Sequence, residues 1–544
     1  MSRSYRPART RPRPKGPSAI AASPKIQIDP AAVTVARALV RPVVPTRSVE
    51  PLSVTAHLGP TNSGKTYHAI EQLAHARYGA YVAPLRALAV EVYERLTERL
   101  GADAVGLITG EQVKNPDADI VCCTPECAPR QTHTMVIDET HWLVDEQRGW
   151  AWTELLAAAE VEHLVILGAP ELEPLVRQAL PSATVHHHTR LSTVEYGGRI
   201  GVANLEPGTV VVAFSRASVL AMAREIGHAT DHVVGTLYGA MPPYARMHTI
   251  DAFAAGDLDV LVCTDVIGHG INLPVQHVVM AQTTKHDGRE LRSLHLWEAA
   301  QIVGRAGRFG LSEMGRAYSL AGGRSTASAS LVERAALVAA GKSSADLKVV
   351  QGQVRPKLGE LGAPDAASLA AHLRAWESEM RELLASHPWM RPMPVEPLVA
   401  RCEEIRGYLD RLTVEQAWKL LALPVKDTTA VFARALARDE AVRTPADYAA
   451  PIEDLESAER ASKWARDLMS FTRAFGDGHG ITYADAAALE HAASVRLTDL
   501  LPDHIREHTM GRCSDCGRPC PARLDQCRNC EADSWEHWTS ESTA

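Results

Sequence analysis

Short apolar runs alternate with stretches of helical periodicity from Ser53 to about Val185, and this alternation constrains the fold most. Five runs have the length and composition of strands: SVTAHLG, GAYVAPL, DIVCCTP, TMVIDE and HLVILGA. Between them, YHAIEQLAHA and RALAVEVYERLTERL have the spacing of helices. Strands that alternate with helices build a parallel sheet with helices on both faces. A second set, TVVVAFS, VVGTLYG, DVLVCTD and HVVMAQT, predicts a second α/β unit in tandem.

The remainder of the 544-residue chain differs from these two units. After about Thr326 helical periodicity replaces the strand signal, and from about Pro502 the chain is polar and rich in cysteine. We therefore predict the α/β fold class with five segments: a disordered basic arm (1–50), two doubly wound parallel-sheet domains (51–188 and 189–326), a helical C-terminal region (327–501) and a small zinc-ribbon-like tail (502–544).

Charge is distributed unevenly along the chain, whose net charge is −8. Residues 1–49 hold ten Lys and Arg against Asp29 alone, so they carry +9 and the remainder carries −17. Four prolines in the first seventeen residues predict disorder. This arm is either a non-specific contact to phosphates or a solvated tail. Because the rest is acidic, a nucleic-acid site there must be a local groove.

The N-terminus has basic residues but lacks the apolar core of a secretory signal, and no apolar run approaches the length needed to cross a bilayer. We therefore expect a cytoplasmic protein with no membrane partner. A mitochondrial transit peptide is a weaker alternative, since the prolines of the arm oppose an amphipathic helix.

The segment GPTNSGKT follows a predicted strand and begins a predicted helix, which is the context of a P-loop. Backbone N–H groups and the helix N-terminus would face a polyphosphate. Lys65 is expected to reach the β- and γ-phosphates of ATP, and the Thr66 hydroxyl to bind Mg²⁺. The alternative is a plain glycine turn. The predicted nucleotide-binding residues are Gly59, Pro60, Thr61, Asn62, Ser63, Gly64, Lys65 and Thr66.

Two adjacent acids end the apolar run TMVI in the segment VIDETHWLVDEQRGWAW. Ligands of an open α/β sheet bind outside the carboxyl ends of its strands, so these acids lie at the edge that carries the P-loop. We predict that Asp138 holds Mg²⁺ and that Glu139 orients and deprotonates the attacking water. His141 would sense the nucleotide or the neighbouring domain. The nearby tryptophans are predicted to pack the following helix.

The segment QIVGRAGR places Arg305 and Arg308 on one face of a helix in the second unit. Phosphoryl transfer requires positive charge at the γ-phosphate, and an arginine finger from another domain supplies it. Surface ion pairs are the alternative for an isolated pair of arginines. The preceding segment CTDVIGHGINLP makes that alternative weak.

Seven short motifs follow one another along the two α/β units. GPTNSGKT, APLRALA, TGE, DETH, FSR, TDVIGHGIN and QIVGRAGR resemble the motifs of superfamily-two helicases of the DExH type. GPTNSGKTYHA, RGWAWT and TDVIGHGINL are especially similar to the RNA helicase of the mitochondrial RNA-degrading complex and its bacterial relatives. The resemblance covers Ser53 to Leu320 and implies two RecA-like domains with 3′-to-5′ polarity. Ile302 stands where DEAH-box relatives have an arginine.

The resemblance also implies roles at matching positions. Gln301, Arg305 and Arg308 would reach the γ-phosphate from the second domain. The sugar-phosphate backbone of a nucleic acid would contact Pro84, Leu85, Arg86, Thr109, Thr264 and Gly268. The third motif departs from the family pattern, because it is GAP at Gly168–Pro170. The segment TKHDGRELR is either a duplex-splitting hairpin or a plain loop, and the loop is slightly preferred.

The tail contains two C-x-x-C pairs, Cys513 with Cys516 and Cys527 with Cys530, separated by ten residues. Each pair can present two thiolates from one turn, which suits tetrahedral Zn²⁺. Cys520 could replace one ligand. A disulfide is disfavoured in a chain without a secretory signal.

Together these features predict an ATP-dependent RNA helicase that couples hydrolysis of ATP to translocation on RNA and to unwinding of RNA. Its substrate would be a single strand or a duplex with a single-stranded tail. A second hypothesis is a nucleotide-gated clamp that binds RNA or recruits a nuclease without unwinding. A third is a DNA helicase, since no residue can be shown to contact a 2′-hydroxyl.

Overall fold

The computed structural model describes most of the chain between residues 28 and 521. The described residues are 28–110, 112–145, 148–239, 241–265, 273, 275–286, 291–307, 314–345, 351–425, 427–449, 451–506, 510–512 and 519–521. Six predicted site residues lie outside this set: Gly268, Arg308, Cys513, Cys516, Cys527 and Cys530. Most of the basic arm lies outside it as well.

The first lobe is built on an eight-stranded sheet in the order β4-β3-β5-β2-β6-β7-β1-β8. All neighbouring strands are parallel except β3 and β4. The strands are β1 (Ser53–Leu58), β2 (Gly79–Val82), β3 (Val105–Ile108), β4 (Val113–Lys114), β5 (Ile120–Cys123), β6 (Gln131–Ile137), β7 (Glu160–Gly168) and β8 (Thr184–His187).

The second lobe is built on a six-stranded, all-parallel sheet in the order β11-β12-β10-β13-β16-β9. Its strands are β9 (Thr193–Gly201), β10 (Thr209–Val212), β11 (Val234–Leu237), β12 (Val260–Cys263), β13 (His277–Met280) and β16 (Met314–Ala321). A separate hairpin pairs β14 (Thr284–His286) with β15 (Leu291–Ser293).

Helices cover both sheets and form the region that follows them. The helices up to the end of the second lobe are α1 (Pro30–Arg37), α2 (Lys65–Ala74), α3 (Arg86–Leu100), α4 (Gly149–Ala158), α5 (Glu173–Ala179), α6 (Arg216–Ala229), α7 (Pro243–Ala254), α8 (Leu296–Val303) and α9 (Ala329–Ala339). The C-terminal helices are α10 (Leu358–Leu361), α11 (Leu369–Leu383), α12 (Glu396–Glu404), α13 (Arg406–Leu409), α14 (Val414–Ala422), α15 (Thr429–Arg438), α16 (Ala446–Ala449), α17 (Leu455–Phe475) and α18 (Tyr483–Arg506). None of the described helices is long and apolar enough to be a candidate membrane span.

The predicted fold class is confirmed for two RecA-like parallel-sheet domains followed by a helical region. All nine predicted strands form. The sequence reasoning missed the edge strands β8 and β9, whose alternating exposure lacks a continuous apolar run. It did not predict β3, β4 and β16 either. It also missed two short parallel strands in the helical region, β17 (Gly352–Val354) and β18 (Met390–Pro392). In the tail, β19 (Met510–Arg512) pairs with β20 (Pro519–Pro521), and the zinc-ribbon-like fold stays a prediction.

Helix α17 packs against the hydrophobic cores of both lobes. Leu455 and Ala458 near its start belong to the core of the second lobe. Trp464 and Leu468, further along, belong to the core that joins one face of the first sheet to the C-terminal helices. Glu459 accepts hydrogen bonds from the Arg216 Nε at 2.8 Å and from the Tyr238 hydroxyl at 2.5 Å, which attach α17 to the second lobe. Helix α17 therefore packs against both lobes and joins them.

The preferred interpretation of TKHDGRELR as a plain loop is wrong, because β14 and β15 pair in antiparallel register. The hairpin is attached to α8 through Glu298, which is 9% exposed. Its carboxylate accepts two hydrogen bonds from Arg292 at 2.8 Å and lies 2.8 Å from the Lys285 ammonium. Burial alone would raise the pKa of Glu298, but the bonds from Arg292 and the charge of Lys285 lower it to about 2.

We expect the substitution Glu298→Gln to destabilise the second lobe by about 1 to 3 kcal/mol at pH 7, since one pKa unit corresponds to about 1.4 kcal/mol. A carboxylate with a lowered pKa stabilises the folded state above the pKa of an unfolded-chain glutamate. That contribution is lost as the pH falls towards 2. The melting temperatures of variant and wild type should therefore converge as the pH falls from 4.5 towards about 2. Glu333→Gln, an exposed change on α9, is the control, and equal melting temperatures at pH 7 would contradict the expectation.

Candidate active site

The P-loop occupies the turn between β1 and α2. Asn62 at φ 60° and Gly64 at φ 75° adopt left-handed conformations, which curl the backbone around a concave turn. The Lys65 ammonium is buried and donates to the Pro60 carbonyl at 3.0 Å. The buried Ser63 hydroxyl has no hydrogen-bond partner among the described residues. A phosphate-binding site accounts for both features: the buried Lys65 ammonium bonded to a carbonyl of its own loop, and the buried Ser63 hydroxyl without a partner among the described residues.

The two predicted acids follow β6 at the same edge of the sheet. Asp138 accepts a hydrogen bond from the Tyr81 hydroxyl and another from the Glu139 backbone N–H at 2.7 Å. Trp152 donates to the Asp138 carbonyl at 3.3 Å, so this tryptophan packs and orients the motif. Burial, and then the charge of Glu139, raise the pKa of Asp138 to about 6. A cation bound at this position would favour the ionised form.

An arginine of the second lobe faces the acids of the first. Arg305 Nη2 lies 3.7 Å from Glu139 Oε1, and His141 Nδ1 lies 3.4 Å from Glu139 Oε2. The His141 ring also contacts the Trp297 ring of α8 edge to face, with 6.0 Å between centroids. Burial lowers the pKa of His141, so its imidazole is neutral at pH 7. His141 thus touches both the predicted base and the opposite lobe.

A cleft of about 280 Å³ lies beside these groups, between the lobes. Gln301 lines it, and its buried Oε1 has no hydrogen-bond partner among the described residues. Pro170 of the unusual GAP motif lies on the opposite wall. The wall residues of the first lobe are Pro60, Thr61, Ala169, Pro170 and Glu171, and those of the second are Trp297, Ala300, Gln301, Val338 and Ala339. The Gln301 amide oxygen can therefore accept a hydrogen bond from a polar ligand in this cleft.

Arg190, in the linker between the lobes, is a functional candidate that the sequence analysis missed. Its Nη1 donates to the Thr61 carbonyl at 3.0 Å and to the Gly304 carbonyl at 2.6 Å, and its Nη2 donates to the Ala306 carbonyl. Burial, and then the charge of Arg305, lower the pKa of Arg190 to about 10. A lone arginine in a polar linker matches no motif, so only the folded chain shows that it joins the P-loop to the turn before Arg305.

The approach of this turn to the P-loop requires a glycine at position 304. A Cβ added there would lie 2.2 Å from the Thr61 hydroxyl oxygen. That hydroxyl donates to the Gly304 carbonyl at 3.0 Å, and Asn62 Nδ2 donates to the Ser192 hydroxyl at 2.7 Å. Contact between the lobes therefore explains Gly304, whereas Gly307 is in close contact with Gly315 of its own lobe.

The predicted nucleic-acid residues lie at the carboxyl edges of both sheets. Pro84, Leu85 and Arg86 follow β2, and Thr109 follows β3. Pro84 is held by Arg148, which donates to its carbonyl at 2.8 Å. Thr264 follows β12 of the second lobe, where its N–H donates to Leu237 at 3.0 Å. Of the six, only Gly268 lies outside the described residues.

Five arginines from three parts of the molecule lie near one another, and the positive charges of the set lower the pKa of two members, Arg86 and Arg246. Partial burial, and then the charges of Arg148, Arg466 and Arg473, lower the pKa of Arg86. Burial, and then the charges of Arg466 and Arg86, lower the pKa of Arg246 to about 10. Arg86 and Arg148 belong to the first lobe, Arg246 to α7 of the second, and Arg466 and Arg473 to α17. We call this set the arginine groove.

Two family models match the chain along most of both lobes. Residues 45–189 match the DEXQ-box helicase domain of Suv3, and residues 199–310 match the helicase conserved C-terminal domain. Residues 45–310 are therefore similar to a Suv3-type helicase core. The predicted family resemblance is thereby confirmed. The Suv3-type motif is named for a glutamine at its fourth position, where this chain has His141.

Similar curated proteins are about one-third identical to this chain over the residues that align. The ATP-dependent RNA helicase SUV3, mitochondrial, of Saccharomyces cerevisiae is 35% identical over 272 residues, which cover 47% of this chain and 36% of that protein. The SUV3 homolog of Drosophila melanogaster is 34% identical over 276 residues, with coverage of 47% and 36%. The DExH-box ATP-dependent RNA helicase DExH16, mitochondrial, of Arabidopsis thaliana is 35% identical over 268 residues, with coverage of 47% and 46%. The chain thus matches less than half the length of these relatives.

We expect Arg190→Lys to lower kcat/KM for ATP hydrolysis about ten- to a hundredfold, because each hydrogen bond from a charged donor contributes about 1.5 to 3 kcal/mol. Lysine keeps the charge but cannot place several donors on three carbonyls at once. Steady-state ATPase kinetics measure the change. Arg199→Lys, an exposed position on β9, serves as the control, and an Arg190→Lys enzyme with wild-type kinetics would refute the role.

Proposed function

We propose that this protein is an ATP-dependent RNA helicase, which hydrolyses ATP between its lobes and uses the resulting movement to translocate on RNA and to unwind it. The observation that carries the proposal is the approach of Arg305 to Glu139 across the cleft, next to the P-loop. The names of the relatives support RNA as the substrate. Hydrolysis and product release would remove the bridge between the lobes, so that the cleft reopens.

The chemistry follows from three side chains. Lys65 would leave the Pro60 carbonyl to bind the β- and γ-phosphates. Glu139 would accept a proton from the water that attacks the γ-phosphorus, as the bond to the β-phosphate oxygen breaks and ADP leaves. Arg305 would stabilise the negative charge that develops on the γ-phosphoryl oxygens. Arg308 is proposed as its companion and lies outside the described residues.

Mg²⁺ would be held by the Thr66 hydroxyl and the Asp138 carboxylate. When bound, the ion neutralises phosphate charge and favours the ionised form of the buried Asp138. Gln301, whose buried amide oxygen has no partner among the described residues, is proposed to bind the nucleotide or its water from the second lobe. His141 is proposed to report nucleotide occupancy, since it touches Glu139 and Trp297.

RNA is proposed to lie along the arginine groove. Contacts to phosphates do not depend on base sequence, so backbone binding is expected. Pro84, Leu85, Arg86, Thr109, Thr264 and Gly268 are proposed to contact the same strand from the edges of the two sheets. The β14–β15 hairpin, attached to α8 through Glu298, is proposed to meet the duplex.

Zinc in the tail, with Cys513, Cys516, Cys527 and Cys530 as ligands, stays a proposal with a structural role. Recruitment of a nuclease also stays a proposal. The relatives are named mitochondrial, which supports the mitochondrial alternative over the cytoplasmic location expected from the sequence.

RNA should stimulate ATP hydrolysis by the wild-type protein, while Lys65→Ala and Glu139→Gln should fold normally and lose about 100-fold or more in kcat, because each removes a group that acts at the γ-phosphate. The assay measures phosphate release with and without single-stranded RNA, and circular dichroism checks folding. Absence of ATPase activity stimulated by either RNA or DNA would refute the proposal.

Two further measurements on the wild-type protein distinguish an RNA helicase from a nucleotide-gated clamp and from a DNA helicase. Separation of a tailed RNA duplex in step with ATP turnover supports the helicase, whereas RNA-stimulated turnover without strand separation supports the nucleotide-gated clamp. Competition between matched RNA and DNA strands at one salt concentration decides between an RNA and a DNA helicase.

Arg466→Gln should weaken binding of every single-stranded RNA to a similar degree and reduce the slope of log affinity against log salt by about 1, because one phosphate contact is lost. Fluorescence anisotropy over a salt series measures both quantities. Arg438→Gln, an exposed change at the end of α15, is the matched control. An unchanged salt slope for Arg466→Gln would remove α17 from the proposed path of the RNA.

A further inference from the structure

We propose that His133, Glu162 and His163 form a binding site for a divalent transition-metal ion of the zinc class, at the edge of the first sheet opposite the nucleotide. One ligand atom from each of the three side chains lies within 4.8 Å of the others. His133 Nε2 lies 3.9 Å from Glu162 Oε2, and the two imidazole rings are 5.0 Å apart between centroids. The site is independent of the helicase chemistry.

The strand register places His133 beside Glu162, and the ring of His163 contacts the ring of His133. On β6, Thr132 pairs with Val161 and Thr134 pairs with His163 of β7, so His133 lies opposite Glu162. His163 also pairs with Ser53, the first residue of β1. Three neighbouring strands therefore meet at this edge. Asp138 lies five residues further along β6, roughly 16 Å away at about 3.3 Å per residue, so a metal here would not contact the nucleotide.

Hydroxyl groups orient both imidazoles. The Ser53 hydroxyl lies 2.8 Å from His163 Nδ1, and the Thr134 hydroxyl lies 2.9 Å from His133 Nδ1. Histidines that bind metals are commonly held through such a partner, which fixes the ring and its tautomer. With its Nδ1 engaged in this way, His133 presents Nε2 to Glu162.

Two imidazoles and one carboxylate are a ligand set that Zn²⁺ accepts, whereas Mg²⁺ prefers oxygen ligands alone. Metal–ligand bonds of about 2.0 to 2.2 Å place tetrahedral ligand atoms roughly 3.4 Å apart. The ligand atoms of the three side chains would therefore move about an ångström closer together when the ion binds. Solvent reaches the site, since the side chains of His133 and Glu162 are 30% and 58% exposed. Water can therefore complete the coordination, and the ion would join β6 to β7.

Zinc binding by the full-length chain tests the site, with Cys513, Cys516, Cys527 and Cys530 changed to serine to remove the other predicted zinc ligands. After dialysis against Zn²⁺, we expect about one bound equivalent and a higher melting temperature. His133→Gln and Glu162→Gln should each reduce bound zinc to background and abolish the thermal shift. Glu162 is exposed, so an unchanged metal-free melting temperature shows that this variant folds.

Two further variants sharpen the result. Ser53→Ala should weaken zinc affinity about 10- to 100-fold, because it removes the partner that orients His163. His186→Gln, an exposed histidine at the other edge of the same lobe, should bind zinc like the parent. No bound zinc in the parent, zinc that persists in His133→Gln and Glu162→Gln, or zinc lost only in His186→Gln would each overturn the proposal.

Discussion

Opposite charges that meet across a cleft are the interaction on which the rest of this structure depends. The first lobe supplies two acids at the end of one strand, and the second supplies Arg305, which lies 3.7 Å from Glu139. Arg190 maintains the approach by donating to backbone carbonyls on both sides, and Gly304 permits it because a Cβ would collide with Thr61. Chemistry and domain closure are therefore linked by the same contacts.

The arginine groove shows how an acidic protein can still offer a site for a polyanion. The net charge is negative, yet Arg86 of the first lobe and Arg246 of the second lie close enough to Arg466 of α17 for its charge to lower their pKa values. A cleft lined by charges of one sign attracts ligands of the opposite sign. Because the groove is shared by both lobes and α17, the proposed binding of a phosphate backbone would depend on the distance between the lobes.

Helix α17 extends this coupling to the C-terminal region. Its first turns are buried in the core of the second lobe and its later turns in the core shared with the first lobe, so movement between the lobes must bend or slide this helix. Glu459 fixes one end through Arg216 and Tyr238. The hairpin is attached in a similar way, through Glu298 on the helix that carries Gln301. Elements proposed to contact RNA are thus joined to elements proposed to contact the nucleotide.

The sequence by itself determined the order of the elements, the P-loop, the acids after β6 and the family, because each depends on residues adjacent in the chain. Nine strands with continuous apolar runs were predictable, while the half-exposed edge strands β8 and β9 were not, and neither were β3, β4 and β16. Only the tertiary structure revealed Arg190, the arginine groove and the cluster of His133 with Glu162 and His163. Their members are distant in sequence or occur in no motif, and only strand register and lobe packing bring their charges together.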